Sequence, residues 1–214
     1  MAIIQQSVLL EWQKKYTDFK VVRKLKSGKE ADAWLVSMSN TLYVLKNYKG
    51  NHMRTRDQYN EGKWIHEASL RKAIRQKTNI GKNLQKKLWV KREYYIMKKV
   101  FAFGAAVPEV FDYTADSILM QYIGDAHHPA PRLIDVHFSD HEKKKILMII
   151  ESNLKLFLEN GIIHADLSPY NILWWNNKPW IIDFPQSIDI RKNPNWEKLY
   201  NRDLENIKNY LGKK

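Results

Sequence analysis

Residues 162–183, IIHADLSPYNILWWNNKPWIID, constrain this chain more than any other stretch. They set His164, Asp166 and Asn171 on a short loop and place Asp183 at the end of the strand that follows. Asn171 lies five residues beyond Asp166, and Asp183 twelve beyond Asn171, across a hairpin that turns at Asn176-Asn177. Phosphoryl transfer needs groups of this kind. One carboxylate faces the hydroxyl that is phosphorylated, and an amide with a second carboxylate holds Mg²⁺ on the nucleotide phosphates. A lone H-x-D would carry little weight; the full spacing carries much more.

H-x-D-x-x-x-x-N followed by an apolar strand ending in Asp is the catalytic half of a protein-kinase-like fold. Such a fold also needs a cation on the α/β-phosphates, a carboxylate to position it and a donor-rich loop over the phosphates. Lys46, in TLYVLKNY, stands where that strand lysine would fall, and Glu93, in KLWVKREYYIM, is the helix glutamate to pair with it. Glu67 is the rival for Glu93, but no regular apolar face lies behind it. The expected Gly-rich loop is absent, and only Gly28 is available, within Ser27-Gly28-Lys29-Glu30-Ala31. One glycine allows a tight turn and close backbone approach, and Ser27 offers a hydroxyl to a phosphate. A plain hairpin turn explains the same residues.

Periodicity supplies the other elements. Ile3 to Tyr16 reads as an amphipathic helix, with Ile4, Val8 and Trp12 or Leu9 along one side. Phe19 to Leu25, Asp32 to Met38 and Thr41 to Tyr48 read as strands. The polar stretch from Gly50 to about Gly81 is expected to be a mobile insertion with some helix. Asn83 to Phe101 is helical, with Leu88, Trp89, Ile96 and Val100 at turn spacing, and Val110 to Tyr113 pairs with Ser117 to Tyr122. Ser139 and Glu142 form a capping box for a helix that runs to Asn160, buries Leu147, Ile150, Leu154, Phe157 and Leu158, and ends at Gly161. Ile172 to Trp175 and Pro179 to Ile182 form the hairpin, and Asn195 to Leu211 a last helix burying Trp196, Leu199, Tyr200, Ile207 and Leu211. Strands early and helices late give an α+β chain with two lobes.

Charge points to a class of partner. Among 214 residues, 36 Lys and Arg against 23 Asp and Glu leave a formal charge of +13, which favours polyanions through counterion release. Between Lys63 and Arg92, ten lysines and arginines stand against Glu67 alone. That predicts contact with nucleic acid or nucleoprotein, with a solvated helix face as the competing reading. The absence of Cys excludes disulfides and thiolate metal sites. MAIIQQSVLLEW has neither a basic n-region nor a long apolar stretch, so no signal peptide is expected. The longest apolar run, Ile146 to Ile150, is far too short to span a bilayer. A soluble, cytoplasmic protein with no membrane partner is expected.

SGKEADAW (27–34), the Lys46 strand, Arg92-Glu93, MQYIGDAHHPAPRLIDV (120–136), HADLSPYN (164–171) and IIDFPQS (181–187) resemble the Rio family of atypical protein kinases. RTRDQY (54–59) is similar to the start of that family's flexible loop, and NPNWEKLYNRDLENIKNYL (193–211) to its closing helix. GKEA, PAPRL and HADLS are closest to the first Rio subfamily, while IDFPQ and the Arg202-Asp203 helix share features of the second. The resemblance implies one kinase-like α+β domain over 1–214. It would comprise an N-terminal helix and small β-rich lobe (1–119), a hinge (120–124) and a truncated helical lobe (125–214) without activation segment or peptide-docking helices.

The same resemblance implies ATP with Mg²⁺, or alternatively Mn²⁺, as cofactors. Ser27, Gly28, Lys29 and Glu30 would lie over the phosphates, and Lys46, paired with Glu93, would contact the α/β-phosphates. Met120, Gln121, Tyr122 and Ile123 would read adenine, with Pro131 beside them. Gln121 replaces the family's common acidic hinge residue; adenine is read mainly by backbone there, so little effect is expected. Asp166 would be the catalytic acid/base, and Asn171 and Asp183 metal ligands. Asp183 would also accept the γ-phosphate as an aspartyl-phosphate intermediate. Rio proteins act in small ribosomal subunit maturation, more as ATPase switches than as conventional kinases. A pre-ribosomal small subunit or ribosomal RNA is therefore the expected partner of segment 63–92.

With 31 residues after Asp183 and no A-P-E motif, an ordinary peptide-docking groove is not expected. Pro185 stands where D-F-G has glycine, fixing φ and removing an N–H, which argues against a regulatory flip. The expected activity is that of an ATP-dependent atypical serine/threonine kinase or ATPase. A nucleotide-switched, non-catalytic ribosome assembly factor needs the same ATP site and is one alternative. The kinase-like ATPase of the tRNA threonylcarbamoyladenosine complex is another. It normally carries H-G-D and D-F-G, where this chain has His164-Ala165-Asp166 and Asp183-Phe184-Pro185. His127 and His128 read as loop residues rather than metal ligands.

Overall fold

Three successive alternating segments fold as antiparallel strands: β1 (Lys20–Ser27), β2 (Ala31–Met38) and β3 (Thr41–Tyr48). With β4 (Val110–Tyr113) and β5 (Ser117–Gln121) they complete a five-stranded sheet of order β1-β2-β3-β5-β4. The computed structural model describes residues 4–49 and 78–212. Of the insertion expected from Gly50 to about Gly81, residues 50–77, with RTRDQY, Glu67 and the basic residues from Lys63 to Lys77, lie outside the described residues. Two compact units are present: one holds 4–49, 78–94 and 109–122, the other 95–108 and 123–212. The chain changes unit between Tyr122 and Ile123, inside the segment read as a hinge, and also within the long helix that precedes β4.

In the first unit, helix α1 (Gln6–Lys15) packs Val8 and Trp12 with Trp34, Val36, Leu45 and Leu119 of the sheet. The Trp12 indole N–H donates to the Ser117 hydroxyl at 2.7 Å, so its one polar atom is satisfied inside the core. Because side chains alternate along a strand, Leu45 joins this core while Lys46 and Tyr48 share the opposite face of β3.

Helix α2 (Asn79–Ala102) starts four residues before the expected Asn83. Thr78 accepts the Gly81 N–H on its hydroxyl at 3.1 Å, an N-cap that absorbs Gly81 into the first turn. Its buried stripe is Trp89, Val90, Tyr94, Met97 and Val100; Leu88 and Ile96, expected there, are half-buried. Glu93 sits within that stripe.

In the second unit, helix α3 (Asp140–Glu159) carries both halves of the capping box: Ser139 Oγ accepts the Glu142 N–H, and the Glu142 carboxylate accepts the Ser139 N–H at 2.8 Å. It ends at Gly161, whose φ of 76° suits glycine. The buried face is Ile146, Ile150, Asn153, Leu154 and Phe157, rotated from the expected one, with Leu147 and Leu158 half-buried. Asn153 explains the rotation: its Oδ1 accepts the buried Ala106 N–H at 2.7 Å and its Nδ2 donates to Ile149 O at 2.8 Å.

Short strands β6 (Ile162–Ile163) and β9 (Ile188–Asp189) pair on either side of the hairpin β7 (Ile172–Trp175) and β8 (Lys178–Ile181). Asn176 and Asn177, at φ 50° and 56°, make the two-residue turn whose twist matches the strands. Only residues 184–195 separate Asp183 from the last helix, α4 (Trp196–Leu211), too few for an activation segment at that point. Its buried positions are Leu199, Asp203, Ile207 and Leu211; Trp196 and Tyr200, expected inside, are half-buried. Among the described residues no helix is long and apolar enough to cross a membrane.

Candidate active site

In the first unit, Lys46 Nζ lies 2.8 Å from a Glu93 carboxylate oxygen, with the lysine side chain 17% exposed and the glutamate 1%. The other carboxylate oxygen accepts the Tyr48 hydroxyl, and the Lys46 ammonium also stands 5.2 Å from the Tyr48 ring centroid. Tyr48 reaches Glu93 because it lies two residues from Lys46 on the same strand face. Reading the sequence did not single it out, although an aromatic two residues after the strand lysine was the available signal.

At the turn before β2, the Gly28 N–H donates to Ala31 O at 2.9 Å, and a Cβ on Gly28 would meet that same oxygen at 2.9 Å, so only glycine fits. Ser27 does not present an uncommitted hydroxyl. It donates to Asp32 at 2.8 Å and accepts from Lys49 at 3.2 Å, while Lys49 also donates to Gly28 O at 2.8 Å. Asp32 in turn pairs with Lys24 and Lys49 at 2.9 and 2.8 Å. Burial raises the Asp32 pKa, but Lys49, Lys24 and Ser27 outweigh it and hold the carboxyl below its usual range. Lys29 is exposed and Glu30 half-buried, and Glu30 offers its carbonyl to the Lys49 N–H at 2.8 Å.

Met120 is buried at the end of β5, while Gln121 and Tyr122 are half-buried. Gln121 is tied to residue 109 twice, its N–H donating to Glu109 O at 2.7 Å and its Oε1 accepting the Glu109 N–H at 3.2 Å. In the second unit, Ile123 is buried and Pro131 exposed, with the Pro131 carbonyl accepting the Trp174 N–H at 2.8 Å. His127 and His128 are exposed loop residues whose N–H groups donate to Asp125.

The loop carrying Asp166 belongs wholly to the second unit and is held chiefly by side chains that bond to its main chain. Buried His164 packs its ring 4.7 Å from that of Phe184, and its Nε2 stands 3.1 Å from Ile182 O. Phe184 packs also on Phe157 of α3, with centroids 5.7 Å apart. The Asn171 carbonyl accepts the Ile182 N–H at 2.9 Å, and Asn171 Nδ2 donates to Asp166 O at 2.9 Å. These two bonds join Asn171 to the main chain of Asp166 and to the residue before Asp183. Ala165 and Asp183 have φ of 65° and 73°, a left-handed conformation that costs a residue with a Cβ roughly 1–2 kcal/mol. Asp203, on α4, accepts the N–H groups of Ala165 and Leu167. No role was assigned to it from sequence; its signal was a carboxylate in the apolar stripe of a helix.

The donor set suits a hard cation. With its nitrogen committed to Asp166 O, Asn171 presents an oxygen, and Asp183 presents a carboxylate. Mg²⁺ takes such ligands and completes its octahedron with water and phosphate oxygens.

A fold of this kind, a five-stranded sheet bearing a Lys–Glu pair and a helical unit bearing the Asp–Asn–Asp set, is kinase-like. The Rio2 kinase of Chaetomium thermophilum, solved as an ADP/Mg²⁺-phosphoaspartate complex, matches with a TM-score of 0.69 over 95% of this chain and 58% of its own, at 21% identity. The PK-1 kinase of Cydia pomonella granulovirus matches with a TM-score of 0.52 over 86% of this chain and 58% of its own, at 13% identity. The RIO domain family model matches residues 16–214, and the chain belongs to that family. It is 27% identical to serine/threonine-protein kinase rio1 of Schizosaccharomyces pombe over 197 residues, 87% of this chain and 37% of that protein. It is 35% identical to the RIO-type kinase Rio1 of Methanocaldococcus jannaschii over 126 residues, 59% of this chain and 42% of that one. Mouse serine/threonine-protein kinase RIO3 is 30% identical over 128 residues, 59% of this chain and 24% of its own length. The chain thus spans less than half the length of each of these three relatives.

Proposed function

We propose that this RIO-domain chain binds ATP with Mg²⁺ and transfers the γ-phosphoryl group, as an atypical serine/threonine kinase or ATPase. The bonded set of Asp166, Asn171 and the main chain before Asp183 carries the reading. Asn171 and Asp183 would hold the ion, which when bound neutralises charge on the phosphate oxygens. Lys46, kept in place by Glu93 and Tyr48, supplies the cation for the α/β-phosphates. Asp166 accepts the proton of an attacking hydroxyl or water. The phosphoaspartate in the Rio2 complex supports a second element of the proposal. An Asp183 oxygen bonds to the γ-phosphorus, the bond from that phosphorus to the ADP oxygen breaks, and water later releases phosphate.

Calorimetry and turnover assays on variants test this. Asp183→Ala should lose Mg²⁺-dependent nucleotide binding, while Asp166→Asn should keep it and lose about 10²–10⁴-fold in turnover. Label from the γ-phosphate should be hydroxylamine-labile and absent from Asp183→Ala. Unchanged Mg²⁺-dependent affinity in Asp183→Ala would sink the metal site, and hydroxylamine-resistant label the aspartyl phosphate.

A finer element concerns the partner. We infer that segment 63–92 contacts ribosomal RNA of the small subunit, supported by its ten cations against one acid and by the family resemblance. Lys86 is internally committed, pairing with Asp116 at 2.7 Å, whereas Lys87 and Lys91 are exposed. Reversing Lys72, Arg75 and Lys77 to Glu should weaken RNA binding and flatten its log–log salt slope, roughly 0.7–0.9 per neutralised phosphate. An unchanged slope would leave the charge as a solvated face.

A further inference from the structure

The two turns that join the first three strands are closed in different ways. Between β2 and β3, Ser39 and Asn40 are left-handed, at φ 47° and 62°, and two residues suffice. Between β1 and β2 the chain takes three residues, 28–30, none of them left-handed. Besides the bond from the Gly28 N–H to Ala31 O, this turn is held from outside, by the residue that follows β3. The Lys49 N–H donates to Glu30 O at 2.8 Å, and the Lys49 ammonium meets Gly28 O at 2.8 Å, Ser27 Oγ at 3.2 Å and an Asp32 carboxylate oxygen at 2.8 Å. An ammonium has three N–H groups, and these three acceptors take up all of them. The other Asp32 oxygen pairs with Lys24 at 2.9 Å, which ties β1 into the same cluster.

The cluster stands on the face of the sheet opposite Lys46. Side chains of directly opposed residues share a face, and Ser27 opposes Asp32, which opposes Asn47. Lys46 and Tyr48 alternate with Asn47 and so project from the other face. Lys49 therefore does not add a second cation beside Lys46; it grips the turn itself. A trans peptide sets its C=O and N–H in opposite directions, so drawing Gly28 O onto the ammonium points the Lys29 N–H away from it. A turn N–H aimed in this way is a donor for a phosphate oxygen.

We propose that Lys49 and Asp32 are positioning residues for nucleotide phosphates: joined with Ser27 and Lys24, they form a clasp behind the β1–β2 turn that aims its N–H groups at the phosphates. This rests on the nucleotide-binding reading of Lys46. Neither residue touches the nucleotide; both act through the turn. The turn has a single glycine rather than a Gly-rich run, and the clasp presets its shape, which lowers the ordering cost of binding. Its effect falls on the phosphates and spares the adenine contacts.

Calorimetry with ADP–Mg²⁺ and with adenosine tests this on wild type, Lys49→Met, Asp32→Ala and the double variant, with thermal melting to establish folding. Each single variant should weaken ADP–Mg²⁺ binding about tenfold, the loss expected of one bond to a charged group. Adenosine affinity should not change. The double variant should bind no more weakly than the weaker single one, since both changes open the same clasp. Asp32→Ala is the sharpest arm, because removing a negative charge would by itself favour an anion. If that variant binds ADP–Mg²⁺ as well as wild type or better, the clasp is overturned and Lys49 acts on the phosphates as a charge that Asp32 restrains. Unchanged ADP–Mg²⁺ affinity in Lys49→Met would overturn it too, as would an equal loss for adenosine or a full multiplicative loss in the double variant. The Lys49 side chain is 35% exposed, so Lys49→Met carries the test if Asp32→Ala does not fold. A wild-type chain that binds no ADP–Mg²⁺ would instead bring down the nucleotide-binding reading, and this proposal with it.

Discussion

Each unit carries a carboxylate buried in the apolar stripe of a helix, and the two are satisfied in opposite ways. Glu93, among Trp89, Met97 and Val100 of α2, is met by side chains: the Lys46 ammonium at 2.8 Å and the Tyr48 hydroxyl. Asp203, among Leu199, Ile207 and Leu211 of α4, is met chiefly by main chain, the N–H groups of Ala165 and Leu167. The Arg202 guanidinium is more distant, 3.6 Å from Asp203. The first arrangement fixes a charge on a regular strand, where the backbone needs no help. The second fixes the backbone of an irregular loop, where no ladder bond is available to do so. A buried carboxylate thus serves to aim a cation in one unit and to shape a loop in the other.

Removing the cation is the most severe way to break this contrast. Lys46→Met leaves Glu93 buried beside an apolar side chain and should cost about 3–5 kcal/mol in denaturant unfolding. Replacing Glu93 by Met as well should recover most of that loss, since an apolar pair of similar volume is often no less stable. Tyr48→Phe removes one bond to a charged group and should cost about 1.5–3 kcal/mol. If Lys46→Met costs less than Tyr48→Phe, Glu93 depends on the hydroxyl and the contrast between the units weakens.

A smaller effect sharpens the contrast from the other side. With its pKa pushed up to about 6, mainly by burial and further by Asp166, against the backbone N–H groups and Arg202, Asp203 keeps a proton in the folded chain where the unfolded chain has lost it. Its contribution to stability therefore declines as pH rises from about 4 to about 6 and is level above that, a change of at most about 3 kcal/mol. Subtracting the stability–pH curve of Asp203→Asn from that of wild type should isolate this decline. Asp112 and Asp189 have lowered pKa values, so their contributions run the other way, lost as pH falls. A flat difference curve would mean that the N–H groups compensate fully for burial.

Much of the fold was legible because its signals are local. Alternation marked β1 to β3, Ser139 with Glu142 marked the start of α3, and Asn176-Asn177 marked the hairpin. Where the reading slipped, a side-chain bond had shifted the balance. Thr78 capped α2 earlier than Gly81 suggested, Asn153 turned α3 by serving the Ala106 N–H, and Asp32 and Lys49 took up the Ser27 hydroxyl. Lys46, Glu93, Asp166, Asn171 and Asp183 could be singled out from their spacing, and the structure pairs Lys46 with Glu93 and bonds Asn171 to the main chain of Asp166 and of Ile182.

The sequence by itself thus determined the residue types on which the proposed phosphoryl transfer rests, the elements that carry them and the family to which the chain belongs. Only the tertiary structure decided what holds them. Lys46 and Glu93 lie 47 residues apart, and Asp203 lies 38 and 36 residues from the two amides it accepts. Local periodicity records which face of a helix is apolar, but a carboxylate on that face looks like an interruption until its donor is seen. The donor is a matter of which distant backbone N–H is left unpaired, and that is settled only when the chain has packed.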